Sequence, residues 1–206
     1  MANKTQRLTV SGIMIALGTV LSLITIFRLP YGGSITLFSM VPVLLVGYLF
    51  GIRWGIACGA VYGIIQGLLG ATMSAAFAGQ RVGGVFAVLM IDYIIAFAVL
   101  GFSGVFKHKI KNSTVAVSLG CVLASFLRFC AHFVSGVLIW GSYAQSTLEG
   151  VENSLSTAIL DNFSGTGLAA MYSLVYNASY MLPETVISVF AAVIIISVKP
   201  VKRLAE

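Results

Sequence analysis

The feature that most restricts this chain is a succession of long, nearly uncharged runs: Leu8–Phe27, Ile35–Phe50, Trp54–Ala71, Val85–Phe106, Val115–Gly141 and Ala169–Val198. A helix needs about 20 apolar residues to cross a bilayer. In lipid every backbone donor and acceptor must find a partner within the protein, which leaves helices or a closed barrel. The runs are continuous rather than alternating, so helices are expected. Hydrophobic residues make up 59% of the chain and charged residues 9%, with a mean hydropathy of +1.02. That is more than a soluble core requires. The reading is an all-α integral membrane protein of six transmembrane helices, forming a single domain over residues 1–206. The second run is short and carries Pro42, which predicts a tilted or irregularly begun helix. The last two exceed the bilayer and are expected to project beyond it.

Orientation follows from the basic residues. Lys4, Arg7, Arg53, Lys107, Lys109, Lys111, Lys199, Lys202 and Arg203 fall on one side of a six-span arrangement, against only Arg28 and Arg81 on the other. The positive-inside rule then puts both termini in the cytoplasm. The net charge of +6 is spent on this asymmetry, so nucleic acid is excluded as a partner and the lipid bilayer is the surface served. The opening MANKTQR resembles a signal peptide, but the run after it is too long and lacks a small-residue cleavage site; it reads as a retained first span. No P-loop is present, so energy for transport is expected from another chain or an ion gradient. Cys58, Cys121 and Cys130 lie inside apolar runs and read as packing residues. Cys130 and His132 lack a second ligand pair at metal spacing, so no metal or cofactor is expected. Neither His132 nor His108 belongs to a Ser-His-acid set, and no catalytic residue is assigned.

Polar groups inside an apolar helix are costly and mark function. In the fifth run Arg128, His132, Gly136 and Trp140 recur every four residues and share one helix face. Asp92 in the fourth run is read as the acidic residue of the membrane interior. It lies about 10 Å below the outer edge and His132 about 13 Å below it, at helical rise. Two partners for Asp92 stay open: Arg128, as an ion pair that staples two helices, or a cationic ligand in an outward-opening pocket. Aromatic faces suit a cation, and Tyr93, Trp140, Tyr172 and Tyr176 fall in the outer halves of their runs. Trp140 is either an interfacial anchor or a ligand contact, and Gly136 leaves room on the same face. Asn177 offers donors and an acceptor to a polar heterocycle or to a neighbouring helix.

The segment between the last two runs, Ser142–Leu168, reads as a lid or binding loop with room for a short helix. Gly32-Gly33 after Pro30 suggests a mobile outer loop. Gly12 and Ala16 form a small-xxx-small pair with Gly18 close by, a strip for a helix of this chain or of another.

Four blocks carry a resemblance over almost the whole chain: LPYGGSITLFSMVPVL, IDYIIAF, RFCAHFVSGVLIWG and YSLVYN. In combination they resemble the thiamine-specific substrate-binding subunits, or S components, of energy-coupling factor transporters. The resemblance implies a bacterial, multi-pass cell-membrane protein that captures thiamine from outside, and not an enzyme. Asp92, Tyr93, His132, Gly136, Trp140, Tyr172 and Asn177 match the positions that line the vitamin pocket in that family. The resemblance also implies that the strip of Gly12 and Ala16 docks on a module of one transmembrane coupling subunit and two ATPases, which alone use ATP. Other members often carry Glu where Asp92 stands, and an outer-loop Trp of some members has no match between Arg28 and Ser39. The segment 142–171 is longer than usual for the family. Two readings stand beside this one: an S component for another small heterocyclic vitamin, and a stand-alone proton-coupled carrier relaying through Asp92 and His132.

Overall fold

The computed structural model describes residues 3–28, 34–73, 77, 80–151 and 153–205. Pro30, Gly32, Gly33 and Glu152 lie outside the described residues, and with them the expected mobile outer loop. The first helix, α1 (Lys4–Leu23), is capped by Asn3, whose side chain accepts a hydrogen bond from the Gln6 amide. A short antiparallel hairpin follows, β1 (Thr25–Arg28) and β2 (Ser34–Thr36), with Phe27 opposite Ile35. Then come α2 (Val41–Phe50), α3 (Ile52–Met73), α4 (Val82–Gly104) and α5 (Ser113–Leu138). The short helices α6 (Ala144–Glu149) and α7 (Ser154–Asn162) lead to α8 (Gly165–Ser197) and the terminal α9 (Lys199–Ala205). The segment expected to hold one short helix therefore holds two.

Among the described residues, five helices are long and apolar enough to cross a membrane: α1, α3, α4, α5 and α8. The second run departs from expectation. Its first part is β2 and a turn, and the helix that remains has ten residues, about 15 Å at helical rise. That is too short to cross alone. All ten residues are buried, and α2 forms the core together with Tyr62, Phe97, Leu100, Val117, Cys121, Ala192 and Ile196 of the surrounding helices. Pro42 sits in its first turn, where a missing N–H costs nothing. One residue, Gly51, joins α2 to α3 at a φ of 94°, a conformation open to glycine without strain. Cys58 and Cys121 are buried free thiols, as packing residues should be.

A ladder of glycines sets how closely the helices approach. Gly55, Gly59, Gly63 and Gly67 recur every four residues on α3. A Cβ at Gly63 would lie 2.6 Å from the Tyr93 carbonyl oxygen and 3.0 Å from Ile94 Cα, and one at Gly55 would lie 2.7 Å from Gly101 Cα. At Gly59 it would overlap the Phe97 carbonyl. The α3 and α4 backbones thus touch, as small residues permit in membrane helices. Against this ladder α4 widens into a π-helical turn over Leu89–Ile95, the segment that carries Asp92.

Of the two partners left open for Asp92, Arg128 is not the one it meets. Arg128 on α5 pairs with Glu184 on α8, Nη1 to Oε2 at 3.2 Å, with side-chain exposures of 9% and 3%. Thr36 Oγ1 donates to the other carboxylate oxygen of Glu184 at 2.7 Å. The same guanidinium reaches Met40 Sδ and lies over the Phe97 ring at 4.7 Å. Glu184, passed over when Asp92 was read as the acidic residue of the interior, is the true partner. Its position inside the sixth run, just after Pro183, was the available signal.

Large apolar side chains cover the outside of the bundle, among them Ile13, Leu68, Phe86, Phe126, Leu138, Leu182, Val186 and Phe190, as a lipid-facing surface requires. On α1, Gly12 and Ala16 are exposed and a Cβ at Gly12 would meet nothing within 4 Å. Gly18 is not part of that strip. It is buried against Ser39 and Tyr62.

Two predictions follow from packing and charge. Gly63→Ala should destabilise the detergent-purified protein by about 1–3 kcal/mol through overpacking, while Gly12→Ala leaves thermal unfolding unchanged. Equal midpoints for both variants would contradict the ladder. Arg128→Met strands the Glu184 carboxylate and should cost about 3–5 kcal/mol, whereas Arg128→Met with Glu184→Met recovers much of that loss. A double variant as unstable as the single one would contradict the pairing.

Candidate functional site

Two polar residues of α5 and a tryptophan just past its C-terminal end converge on one carboxylate of α4. His132 Nδ1 lies 3.0 Å from Asp92 Oδ1. Ser135 Oγ donates to Asp92 Oδ2 at 2.7 Å, and Trp140 Nε1 donates to the same oxygen at 3.0 Å. A carboxylate only accepts, so Nδ1 is the protonated nitrogen of the His132 ring. Its other nitrogen, Nε2, is buried and has no hydrogen-bond partner. The expectation that Asp92 and His132 meet at one depth holds at hydrogen-bond distance. Ser135, fully buried, was not among the sequence candidates, although it stands three residues after His132 on the same face.

Trp140 lies at the end of α5 with its indole turned in to Asp92 and tilted against Tyr143, ring centroids 6.1 Å apart. It is therefore held in the site and not free as an interfacial anchor. Tyr93 packs on the upper part of the glycine ladder, its ring against Gly67 and its hydroxyl against Gly70, and stacks on Phe77 at 5.9 Å. Tyr172 is buried and tilts against Tyr176 at 5.4 Å, and Tyr176 meets Tyr180 edge-on at 5.9 Å. The Tyr180 ring in turn approaches His132, centroids 6.5 Å apart. An aromatic file on α8 thus ends beside the polar cluster of α5. The helices α6 and α7 fold over its outer end, where Ala144, Leu148 and Ile159 pack with Leu168 and Tyr172.

Gly136 and Asn177 bring α8 against α5, the second of the two roles left open for Asn177. The space that Gly136 leaves is filled by Ser173, whose Oγ a Cβ there would strike, so the glycine admits α8 and not a ligand. Asn177 spends its amide inside the protein. Nδ2 donates to Ser173 O at 2.9 Å and reaches His132 O at 3.4 Å, while Oδ1 accepts from the Tyr180 hydroxyl at 2.9 Å. Asn177 is a helix-to-helix link that fixes the backbone under His132 and the ring beside it.

The electrostatic consequence is specific. Asp92 is held by donors, and among the described residues its ion-pair partner is His132. Arg128, the nearby permanent cation on α5, is committed to Glu184. Ser135 and Trp140 are neutral donors, which stabilise a carboxylate without cancelling its charge. Among the described residues no group of three or more His, Cys, Asp or Glu is arranged to hold a metal ion.

The sequence signature of the family described as Thiamine transporter protein matches residues 8–161. The Thiamine transporter ThiT of Bacillus subtilis (strain 168) is 29% identical over 196 residues, covering 88% of this chain and 85% of the relative. The Thiamine transporter ThiT of Lacticaseibacillus paracasei is 26% identical over 121 residues, 54% of this chain and 50% of the relative. The solved structure of ThiT from Listeria monocytogenes superposes with a TM-score of 0.69 at 22% identity, covering 97% of this chain and 96% of that one. That likeness establishes the fold. With a family match over most of its length and relatives that are transporters and not enzymes, the chain belongs to the Thiamine transporter protein family and is a multi-pass bacterial membrane protein.

Proposed function

We propose that this chain is the thiamine-binding S component of an energy-coupling factor transporter, and that Asp92, Tyr93, His132, Trp140 and Tyr172 form its ligand wall. The observation that carries this reading is the Asp92 carboxylate, held by His132 and Ser135 of α5 and by Trp140 just past it, beside a buried His132 Nε2 that lacks a partner. Thiamine brings a cationic thiazolium, which answers the Asp92 carboxylate, and an aminopyrimidine, whose amino group donates to Nε2. The aromatic file of Tyr172, Tyr176 and Tyr180 supplies faces for the rings. Gly136 and Asn177 take part by holding α8 against α5. The family and its named relatives support thiamine as the ligand.

Delivery in this proposal relies on a coupling subunit and two ATPases, because this chain has no P-loop to use ATP itself. The exposed strip of Gly12 and Ala16 on α1 is the docking face, and the termini lie in the cytoplasm with the basic residues. A second reading has one observation in its favour, the direct Asp92–His132 contact, which suits a proton relay in a stand-alone carrier. Vesicles holding this chain alone separate the two: uptake that follows a proton gradient supports the carrier, and none supports the S component.

Calorimetric titration of the purified protein is expected to show saturable thiamine binding. Asp92→Asn keeps the shape and removes the charge, and should weaken that binding by more than about tenfold. Unchanged affinity in Asp92→Asn would remove the carboxylate from the ligand wall. Tighter binding of another heterocyclic vitamin would reassign the substrate.

A further inference from the structure

A cavity of about 380 Å3 lies where α1 begins and α2 turns into α3, lined by Arg7, Phe50, Gly51, Ile52, Arg53 and Trp54. It is separate from the ligand wall. Along α3, the Gly63 that touches Tyr93 stands ten positions beyond Arg53, about 15 Å at helical rise.

Its charge is unbalanced. Among the described residues, neither the Arg7 nor the Arg53 guanidinium takes part in an ion pair, and Arg7 Nε is buried without a hydrogen-bond acceptor. No carboxylate lines the cavity. Glu184 is bound to Arg128, Asp92 to α5, and Glu149 and Asp161 sit on α6 and α7. A third cation stands close by. Lys107 Nζ donates to the Leu49 carbonyl at 2.8 Å, and burial, reinforced by the charge of Arg7, holds its pKa below the usual lysine range. The walls are fixed, since Trp54 Nε1 donates to Ser11 Oγ at 2.9 Å and ties α3 to α1.

A cationic cavity with no counter-charge among the described residues suits an anion from outside, and forked guanidinium donors match phosphate oxygens better than they match a spherical ion. We propose that this cavity binds a phosphate group through Arg7 and Arg53, carried by an anionic phospholipid headgroup or by free phosphate. The apolar flank of α1 beside it, with Leu8 and Ile13 exposed, offers acyl chains a place to lie, which favours the lipid.

The chain has two tryptophans, so in a Trp140→Phe background Trp54 alone reports on the cavity. Protein in phosphatidylcholine nanodiscs is compared at rising phosphatidylglycerol fraction, and separately with inorganic phosphate. A saturable change in Trp54 emission with phosphatidylglycerol is expected, and Arg7→Gln with Arg53→Gln should weaken it at least about tenfold. The pair Arg7→Lys with Arg53→Lys keeps the charge but loses the fork, and should weaken it less; it also serves if the glutamine variant does not fold. A response to inorganic phosphate alone supports the site with a soluble anion as its source. Silence to both probes, or a response that both double variants leave unchanged, overturns the proposal.

Discussion

Two carboxylates lie inside an apolar bundle, and the rest of the structure is arranged so that one helix answers both. Stranding a charge in such surroundings costs several kcal/mol. On α5, Arg128 meets Glu184, and further along His132 and Ser135, joined by Trp140 just past the helix end, meet Asp92. The two answers differ in kind. Glu184 receives a permanent cation, Thr36 closes its second oxygen, and the set is nearly sealed from solvent. Asp92 receives donors, and its partly buried surroundings contain a ring nitrogen with no partner. The sealed pair ties β2, α5 and α8 together, and the partly answered carboxylate is left to chemistry.

For side chains of α4 and α5 to meet, α4 must be held at a fixed depth and rotation. The glycine ladder of α3 does this from behind, seating the carbonyls of Tyr93 and Phe97 against bare backbone. In lipid, apolar contact gives helices little reason to prefer one register over another. Steric fit at Gly55, Gly59 and Gly63 therefore carries positional information that hydrophobicity does not. Gly136 repeats the device on the other side, bringing Ser173 and Asn177 of α8 under His132.

Much of this was legible in the sequence, and the exceptions share a cause. The four-residue spacing of Arg128, His132 and Trp140, and the common depth of Asp92 and His132, follow from helical rise alone and reappear in the fold. Pro42 announced an irregular start to the second run, and the family motifs pointed to the family. What failed depended on which neighbour fills a space. The reading of Arg128 toward Asp92 assumed one interior acid, and Glu184 was available at similar reach. Gly136 was read as leaving room and Asn177 as meeting either a heterocycle or a neighbouring helix, because periodicity places a residue on a face without saying which helix covers it. The hairpin and the short α2 were hidden because a fully buried ten-residue helix and a truncated span have the same composition.

The first helix shows how the same physics separates binding from any further contact. α1 is clasped to the bundle on one side by polar links: Ser11 to Trp54, the Gly18 carbonyl to the Tyr62 hydroxyl, and Ser22 to Gln66. Among apolar helices such bonds give attachment a direction, so α1 holds one rotation although most of its surface is apolar. The face opposite the clasps, with Gly12 and Ala16, is left bare as a consequence. None of the clasping residues belongs to the Asp92 cluster, so a change at Asp92, His132 or Ser135 leaves the clasps of α1, and with them its bare face, in place.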